Sequence, residues 1–324
     1  MWRAGTISDA ITHRRPGRRG ARARAAFTLV ELLVSMVILA ILAALSLAGL
    51  AGVRQRAKAD KTRNTIRKID AVIRPMYDSY RTRRVTVTGL SSTDPNLRSK
   101  QALQGLVAKR TLLAYEMPDS WADVPTSLST VPSGPPSSAF SCQTAPVRAY
   151  SRIIQPPSVP SPPFGSAECL YMIVARSGFD PDSLEFFRTD EFADVDGDSF
   201  PEFVDGWGRP IAFLRWAPGF ASPLQAGMPA STTNHDPLDP IGVDLTAPAL
   251  VPLIYSAGPD GATATDGTTG YGLVTLSGGW LAPSRKLSQL GDAANQELVQ
   301  WVGSPITGDT SALDNITNHD LLKK

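Results

Sequence analysis

Cysteine and histidine are scarce in this chain, whose 324 residues include two cysteines and three histidines. The cysteines form no Cys-x-x-Cys pair, and no His-Glu-x-x-His segment occurs. The sequence therefore lacks the usual motifs of dithiol redox proteins and of zinc hydrolases. It also lacks the Gly-x-Ser-x-Gly elbow that presents a nucleophilic serine.

The three histidines do not form a recognisable catalytic group. His13 lies in a basic N-terminal segment, and His235 lies in TNHDPLDP, where Pro237 and Pro240 indicate a loop. Carboxylate pairs occur in several places, as they do on any acidic surface. We therefore expect that the protein is not an enzyme.

A strong net charge is also missing. The formal net charge of +2 is too small to indicate a nucleic-acid partner. The basic residues are concentrated on both sides of one apolar run, and those before it are Arg3, Arg14, Arg15, Arg18, Arg19, Arg22 and Arg24. A twin-arginine export signal is disfavoured, because Pro16 and Gly17 follow the first arginine pair and the apolar run is not adjacent.

The most informative feature that is present is the apolar run itself. No charged residue occurs from Leu32 to Val53, and about 20 apolar residues suffice for a helix to cross a hydrocarbon layer of about 30 Å. We predict a membrane helix that the mature protein retains. A secretory signal peptide, cleaved after the small residues near Ser46 or Gly49, is the alternative.

One carboxylate, Glu31, lies at the start of this run, four places after Phe27. An ionisable group inside a membrane helix costs about 2 to 3 kcal/mol even on the mild insertion scale, so it usually has a functional partner. An unpaired carboxylate at the membrane interface is the simpler interpretation. Composition alone does not decide between the two.

The segment AAFTLVELLVSMVILAILAAL resembles the class III leader and N-terminal helix of type IV pilins and type II secretion pseudopilins. This resemblance implies that a prepilin peptidase cuts between Ala26 and Phe27 and methylates the new N-terminus at Phe27. Ala26 stands where glycine is most common in the family. The resemblance also implies an assembly role for Glu31, whose carboxylate would neutralise the amine of a neighbouring subunit.

The same resemblance implies where the protein acts and with what. Its partners would be identical subunits and other pseudopilins in a filament, the prepilin peptidase, and an inner-membrane assembly platform. It would cross the bacterial inner membrane once, with its head in the periplasm. A membrane-anchored binding protein that forms no filament is the alternative. The sequence does not separate a pseudopilus from an adhesive or DNA-uptake pilus, or a major from a minor subunit.

The expected fold class is α+β, in which the long N-terminal helix packs on a small antiparallel sheet with additional helices and long loops. Ile66, Ile69 and Ile73 recur at helical spacing, and Pro75 should bend the helix near its end. The predicted segments are the leader 1–26, the membrane and filament-core helix 27–53, its continuation 54–80, a helical and proline-rich insertion 81–193, and a β-rich head 194–324.

Within the head and the insertion, local patterns predict further elements. A second helix should run from about Pro95 to Tyr115 with Asp94 as its cap, and a third should follow Ser166 and end at Gly178. The segments PIAFLRWA, PLIYSAG and GYGLVTLSGGWL are typical of antiparallel strands.

The two cysteines are Cys142 and Cys169. If this part of the chain lies outside the cytoplasm, they can form a disulfide, which would contribute about 3 kcal/mol by the chain-entropy model. The alternative is a pair of buried free thiols.

The segment DVDGDSFPEFVD has nearly the spacing of a calcium-binding loop. Its acidic residues are Asp194, Asp196, Asp198, Glu202 and, at the twelfth position, Asp205. Alternate residues of a tight loop can turn their oxygens toward one centre, which suits the six to eight oxygen ligands of calcium. However, Ser199 stands where such loops place a glycine. A solvated acidic turn without metal is the alternative.

Three further segments resemble the major pseudopilin of type II secretion: DGWGRPIAFL, YSAGPDG and the C-terminal LDNITNHDL. In that family a calcium ion ties the second segment to the third. The resemblance implies Ser256, Asp260 and Asp314 as ligands here, with Asp266 a weaker candidate. His319 replaces the family's tryptophan, and an insertion of about residues 268–310 separates the two halves.

Overall fold

A computed structural model describes residues 28–93, 95–135, 137–154, 164–225, 235–244, 247–259, 271–275, 302–306, 310 and 312–321. The predicted leader and Phe27 lie outside these residues, as do Asp94, Asp260 and Asp266. The chain divides into two compact units, Met1–Gly52 and Val53–Lys324.

The first helix, α1, spans Leu29–Thr82, which is 54 residues. This element confirms the long N-terminal helix. Pro75 lies inside the helix, which continues for two turns beyond it to Thr82. In the second unit, the residues predicted to form its apolar stripe, including Ile66, Ile69 and Ile73, are buried.

The other α-helices formed by the described residues are α2 (Leu97–Glu116), α3 (Ala145–Ile153), α4 (Gly165–Arg176) and α5 (Asn318–Leu321). Helix α2 begins two residues later than predicted, after Asn96. Ser166 lies within the first turn of α4, and its hydroxyl donates to the Phe213 carbonyl at 2.7 Å. It therefore fastens the helix to the sheet instead of capping it. Helix α3 was not expected from the sequence, because it is a short segment between proline-rich stretches.

Two small antiparallel sheets are formed by the described residues of the second unit. Strand β1 (Phe192–Ala193) pairs with β2 (Glu202–Phe203). In the other sheet, β3 (Ala212–Leu214), β4 (Leu253–Ser256) and β5 (Ile316–Thr317) are neighbours in that order. The first two predicted strand segments are confirmed. Of the third, the described residues form an isolated bridge at Leu273. The fold class is α+β, as predicted.

The main hydrophobic core of the second unit lies where its part of α1 meets α2, α4 and the three-stranded sheet. Fully buried members include Ile73 of α1, Leu113 of α2, Ile173 of α4, Phe213 of β3 and Ile254 of β4. At about 25 cal/mol per Å² of apolar surface, burial of such side chains is the main term that stabilises the head.

The expected disulfide is wrong for this structure. Cys142 and Cys169 are both free thiols, and both are buried. Cys142 belongs to the main core, whereas Cys169 belongs to a smaller cluster with Tyr150 and Met172. Each thiol thus behaves as a small apolar side chain in its own cluster, which is the alternative that the sequence left open.

We expect both thiols to react with an alkylating agent once the purified protein is denatured without a reductant. Mass spectrometry should then find two labels per chain, and prior reduction should add none. Native protein should label slowly, since burial raises the pKa of Cys142 to about 12 and keeps the reactive thiolate rare. Zero labels before reduction and two after it would contradict the free-thiol assignment.

Candidate functional site

The N-terminus of α1 is closed by a reciprocal pair of hydrogen bonds between Thr28 and Glu31. The Glu31 amide donates to the Thr28 hydroxyl at 3.2 Å, and the Thr28 amide donates to Glu31 Oε2 at 3.0 Å. This arrangement is a capping box, which satisfies two backbone donors that a helix start otherwise leaves open. The pattern Thr-x-x-Glu before an apolar run could have revealed it from the sequence, but that role was missed.

Apolar residues of α1 from Leu29 to Val53 are largely exposed in the chain. Leu29 is 79% exposed and Leu45 is 67% exposed. Contact of so much apolar surface with water would have a high free-energy cost. Among the described residues, α1 is the helix that is long enough and apolar enough to cross a membrane. The exposed surface therefore belongs in lipid or against other apolar helices.

The acidic loop connects β1 to β2, and Asp194 organises its turn. Asp194 Oδ1 accepts the Gly197 amide at 2.7 Å, and Oδ2 accepts the Ser199 amide at 3.0 Å. Gly197 and Ser199 both adopt positive φ angles, 82° and 78°. Ser199 thus takes the left-handed conformation at the position where glycine was expected, so the loop keeps its turn at some cost in strain.

Glu202, at the start of β2, is fully buried. Its Oε2 accepts the Val195 amide at 3.0 Å. Burial, together with the nearby carboxylates of Asp196, Asp194 and Asp198, raises the pKa of Glu202 to about 7, against the opposing hydrogen bond from the Val195 amide. The sequence grouped this residue with the loop carboxylates, but did not show that it begins β2 and faces inward.

Helix α4 brings a further carboxylate, Glu168, to the same place. One carboxylate oxygen each from Glu168, Asp196 and Glu202 lie within 4.8 Å of one another. Burial raises the pKa of Glu168 to about 8, against the opposing hydrogen bond from the Trp121 indole. Glu168 was missed, although a carboxylate in the apolar segment AECLYMIV was a usable signal.

Asp205, the twelfth residue of the predicted loop, faces a different set of atoms. Its Oδ1 accepts the amides of Trp207 and Arg209 at 2.7 and 3.0 Å, and its Oδ2 accepts the Ser256 hydroxyl at 2.7 Å. It closes the Asp-Gly-Trp-Gly turn, whose Gly206 amide donates to Thr62 of α1 at 2.9 Å. Among the described residues, Asp205 therefore does not belong to the carboxylate groups that the loop forms.

The residues expected at the second calcium site are brought together in part. The Gly258 backbone lies against the Asp314 carbonyl, so the chain end does return to the YSAGPDG turn. The Ser256 hydroxyl donates to Asp205 and accepts the Gly258 amide at 3.2 Å. Asp260 and Asp266 lie outside the described residues, so this site stays a prediction.

His319, which replaces the family's tryptophan, is fully buried next to this region. Its Nδ1 lies 2.7 Å from the Ser222 hydroxyl, and its ring packs edge-on against Phe220. Burial lowers the pKa of His319, which favours the neutral ring. The histidine thus fills an aromatic position in the core.

One comparison with known proteins identifies the N-terminal segment. Residues 21–47 match the family model described as the prokaryotic N-terminal methylation motif. That motif is the leader signature of type IV pilins and pseudopilins, so the resemblance read from the sequence is confirmed for this segment. Neither the curated proteins nor the solved structures gave a match to the chain.

Proposed function

We propose that the protein is a structural subunit of a pilin-like filament, specifically of a type II secretion pseudopilus. The observation that carries the proposal is the methylation motif at residues 21–47, followed directly by an apolar helix with Glu31 in its first turn. The pseudopilus assignment is supported by the likeness of DGWGRPIAFL and YSAGPDG to segments of the major pseudopilin.

In this proposal, prepilin peptidase cleaves after Ala26 on the cytoplasmic side and methylates Phe27. The mature subunit then sits in the inner membrane with its head in the periplasm, until the assembly platform moves it into the filament. In the filament, the apolar side chains of α1 contact the α1 side chains of neighbouring subunits instead of lipid. The filament contains identical subunits and other pseudopilins.

Glu31 sets the register of assembly in this mechanism. A carboxylate at the start of a membrane helix is costly alone, and so is a free amine on Phe27. Stacking of neighbouring helices can place the Glu31 carboxylate of one subunit next to the amine of another. The capping box with Thr28 holds the carboxylate at the helix start before assembly.

We expect Glu31→Ala to retain insertion of the chain into membranes but to lose most of its incorporation into filaments. Removing the charge lowers the cost of insertion and also removes the partner of the neighbouring amine. Membrane fractionation should find normal amounts of the variant, whereas cross-linking should find the higher oligomers reduced about tenfold or more. N-terminal sequencing of the wild-type protein should begin at methylated Phe27.

A matched variant, Thr28→Val, separates pairing between subunits from local capping. It removes the hydroxyl that accepts the Glu31 amide but leaves the carboxylate in place. We expect Thr28→Val to assemble nearly normally. Unchanged filament yield in Glu31→Ala, or a mature N-terminus at Gly49 or Gly52, would instead support a simple membrane anchor or a cleaved signal peptide.

A further inference from the structure

Three carboxylates, two from the β1–β2 segment and one from helix α4, converge on the inner side of the acidic loop. Glu168 comes from the first turn of α4, Asp196 from the loop, and Glu202 from the start of β2. One oxygen from each lies within 4.8 Å of the other two. Such spacing allows all three oxygens to contact one ion placed among them.

Two of these carboxylates are buried, and each has one oxygen that accepts no hydrogen bond from the described residues. Glu168 is 1% exposed and Glu202 is 0% exposed. The Oε1 atom of each is buried and has no hydrogen-bond partner among the described residues. Glu168 Oε2 accepts a hydrogen bond from the Trp121 indole, and Glu202 Oε2 accepts one from the Val195 amide. A buried carboxylate oxygen without a partner is costly, and a cation would remove that cost for both.

We propose that Glu168, Asp196 and Glu202 bind a calcium ion that joins helix α4 to the β1–β2 loop. The proposed ligands are all oxygens, and neither histidine nor cysteine belongs to the cluster. Hard oxygen donors suit calcium, whose flexible coordination of six to eight oxygens leaves room for backbone carbonyls and water. Zinc, in contrast, favours nitrogen and sulfur.

This site differs from the one expected from loop spacing. Asp194 shapes the turn, since each of its carboxylate oxygens accepts a backbone amide. Asp198 adds negative charge beside Asp196. The ion would therefore sit on the inner side of the loop against α4, and not at the centre of a self-contained loop. It is also separate from the predicted site at Ser256, Asp260 and Asp314.

The surroundings show what the ion would hold together. The Trp121 indole donates to Glu168, and the Trp121 ring lies edge-on to Phe200 of the loop at 5.0 Å. Three segments thus meet at the site: the turn at Trp121–Asp123, helix α4 and the β1–β2 loop. Occupation should stabilise all three together, independently of whether the chain forms filaments.

The test uses the full-length protein in detergent micelles, melted with millimolar calcium or with excess chelator. A ligand that binds only the folded state at a hundredfold excess over Kd should raise Tm by about 5 °C for a head of this size. Terbium, a calcium analogue, should also luminesce on tryptophan excitation, because Trp121 contacts a proposed ligand. Calcium should reduce this luminescence, because it competes with terbium for the site.

The variants are Glu168→Gln and Glu202→Gln, with Glu185→Gln as the matched control. Glu185 is an exposed residue of the 3-10 helix Ser183–Phe186, so its variant makes the same chemical change at the protein surface. We expect each cluster variant to weaken calcium binding at least tenfold and to lose the Tm shift. In chelator these variants should melt no lower than wild type, because a neutral amide replaces one of three crowded acidic groups, and this melting temperature shows that they fold.

Retention of the full calcium shift in Glu168→Gln would overturn the proposal. So would a wild-type protein that melts at the same temperature in calcium and chelator. An equal shift with magnesium would overturn the choice of calcium. Loss of the response in Asp314→Asn, with Glu168→Gln unaffected, would assign the ion to the C-terminal turn instead.

Discussion

Replacement of Arg215 by methionine should destabilise the head by about 3 to 5 kcal/mol, since it breaks a buried ion pair by removing one partner. Arg215 is fully buried, and its Nη2 lies 3.0 Å from Asp123 Oδ2 and 3.2 Å from Asp119 Oδ1. Its Nη1 donates to the carbonyls of Met117 and Ala114 at 2.6 and 3.2 Å. Methionine would remove the guanidinium from two carboxylates and two carbonyls.

The measurement is the free energy of unfolding of the full-length protein in detergent, from denaturant titration. Arg188→Met is the matched control, because that side chain is 75% exposed, and we expect a change of less than about 0.5 kcal/mol. Adding Asp119→Asn and Asp123→Asn to Arg215→Met should recover part of the loss, since the stranded charges are then gone. A single variant as stable as the control would contradict the buried network.

The sequence predicted the parts of the fold that rest on local periodicity. Helix α1 was foreseen from the uncharged run and from Ile66, Ile69 and Ile73, because a helix places such residues on one face. Strands β3 and β4 were foreseen because short apolar runs lie between glycine, proline and aspartate. Helix α3 was missed, since its nine residues are too few for periodicity to separate them from the proline-rich segments around them.

The candidate sites depend on contacts between distant residues, which local patterns do not encode. The spacing of Asp194, Asp196 and Asp198 predicted a tight acidic turn, and the structure has one. The inward direction of Glu202 and its meeting with Glu168 depend on how α4 packs on the loop, so the spacing of the loop residues could not reveal them. The same reason applies to Asp205, whose partners include Ser256 from a distant strand.

A second substitution with a large expected effect on stability lies in the YSAGPDG turn, at Gly258. This glycine has a φ of +69°, and a Cβ atom added to it would lie 2.2 Å from the Asp314 carbonyl oxygen. Backbone cannot move away as easily as a side-chain tip, so alanine should force the chain end off the turn. The pairing of β4 with β5, in which Ser256 lies opposite Ile316, holds the two segments at this distance.

We expect Gly258→Ala to cost about 2 to 5 kcal/mol, the sum of a left-handed alanine at about 1 to 2 kcal/mol and an overpacked contact at about 1 to 3 kcal/mol. Two glycines allow these contributions to be measured separately. Gly178 has a φ of +67° with nothing within 4 Å of its added Cβ, so Gly178→Ala should show the conformational cost alone. Gly105, inside α2, has neither constraint, and Gly105→Ala should be neutral or stabilising by up to about 1 kcal/mol. Denaturant titration of the three variants gives the comparison. If Gly258→Ala costs no more than Gly178→Ala, the backbone at Asp314 does not press on the turn, and the return of the C-terminus to YSAGPDG is wrong.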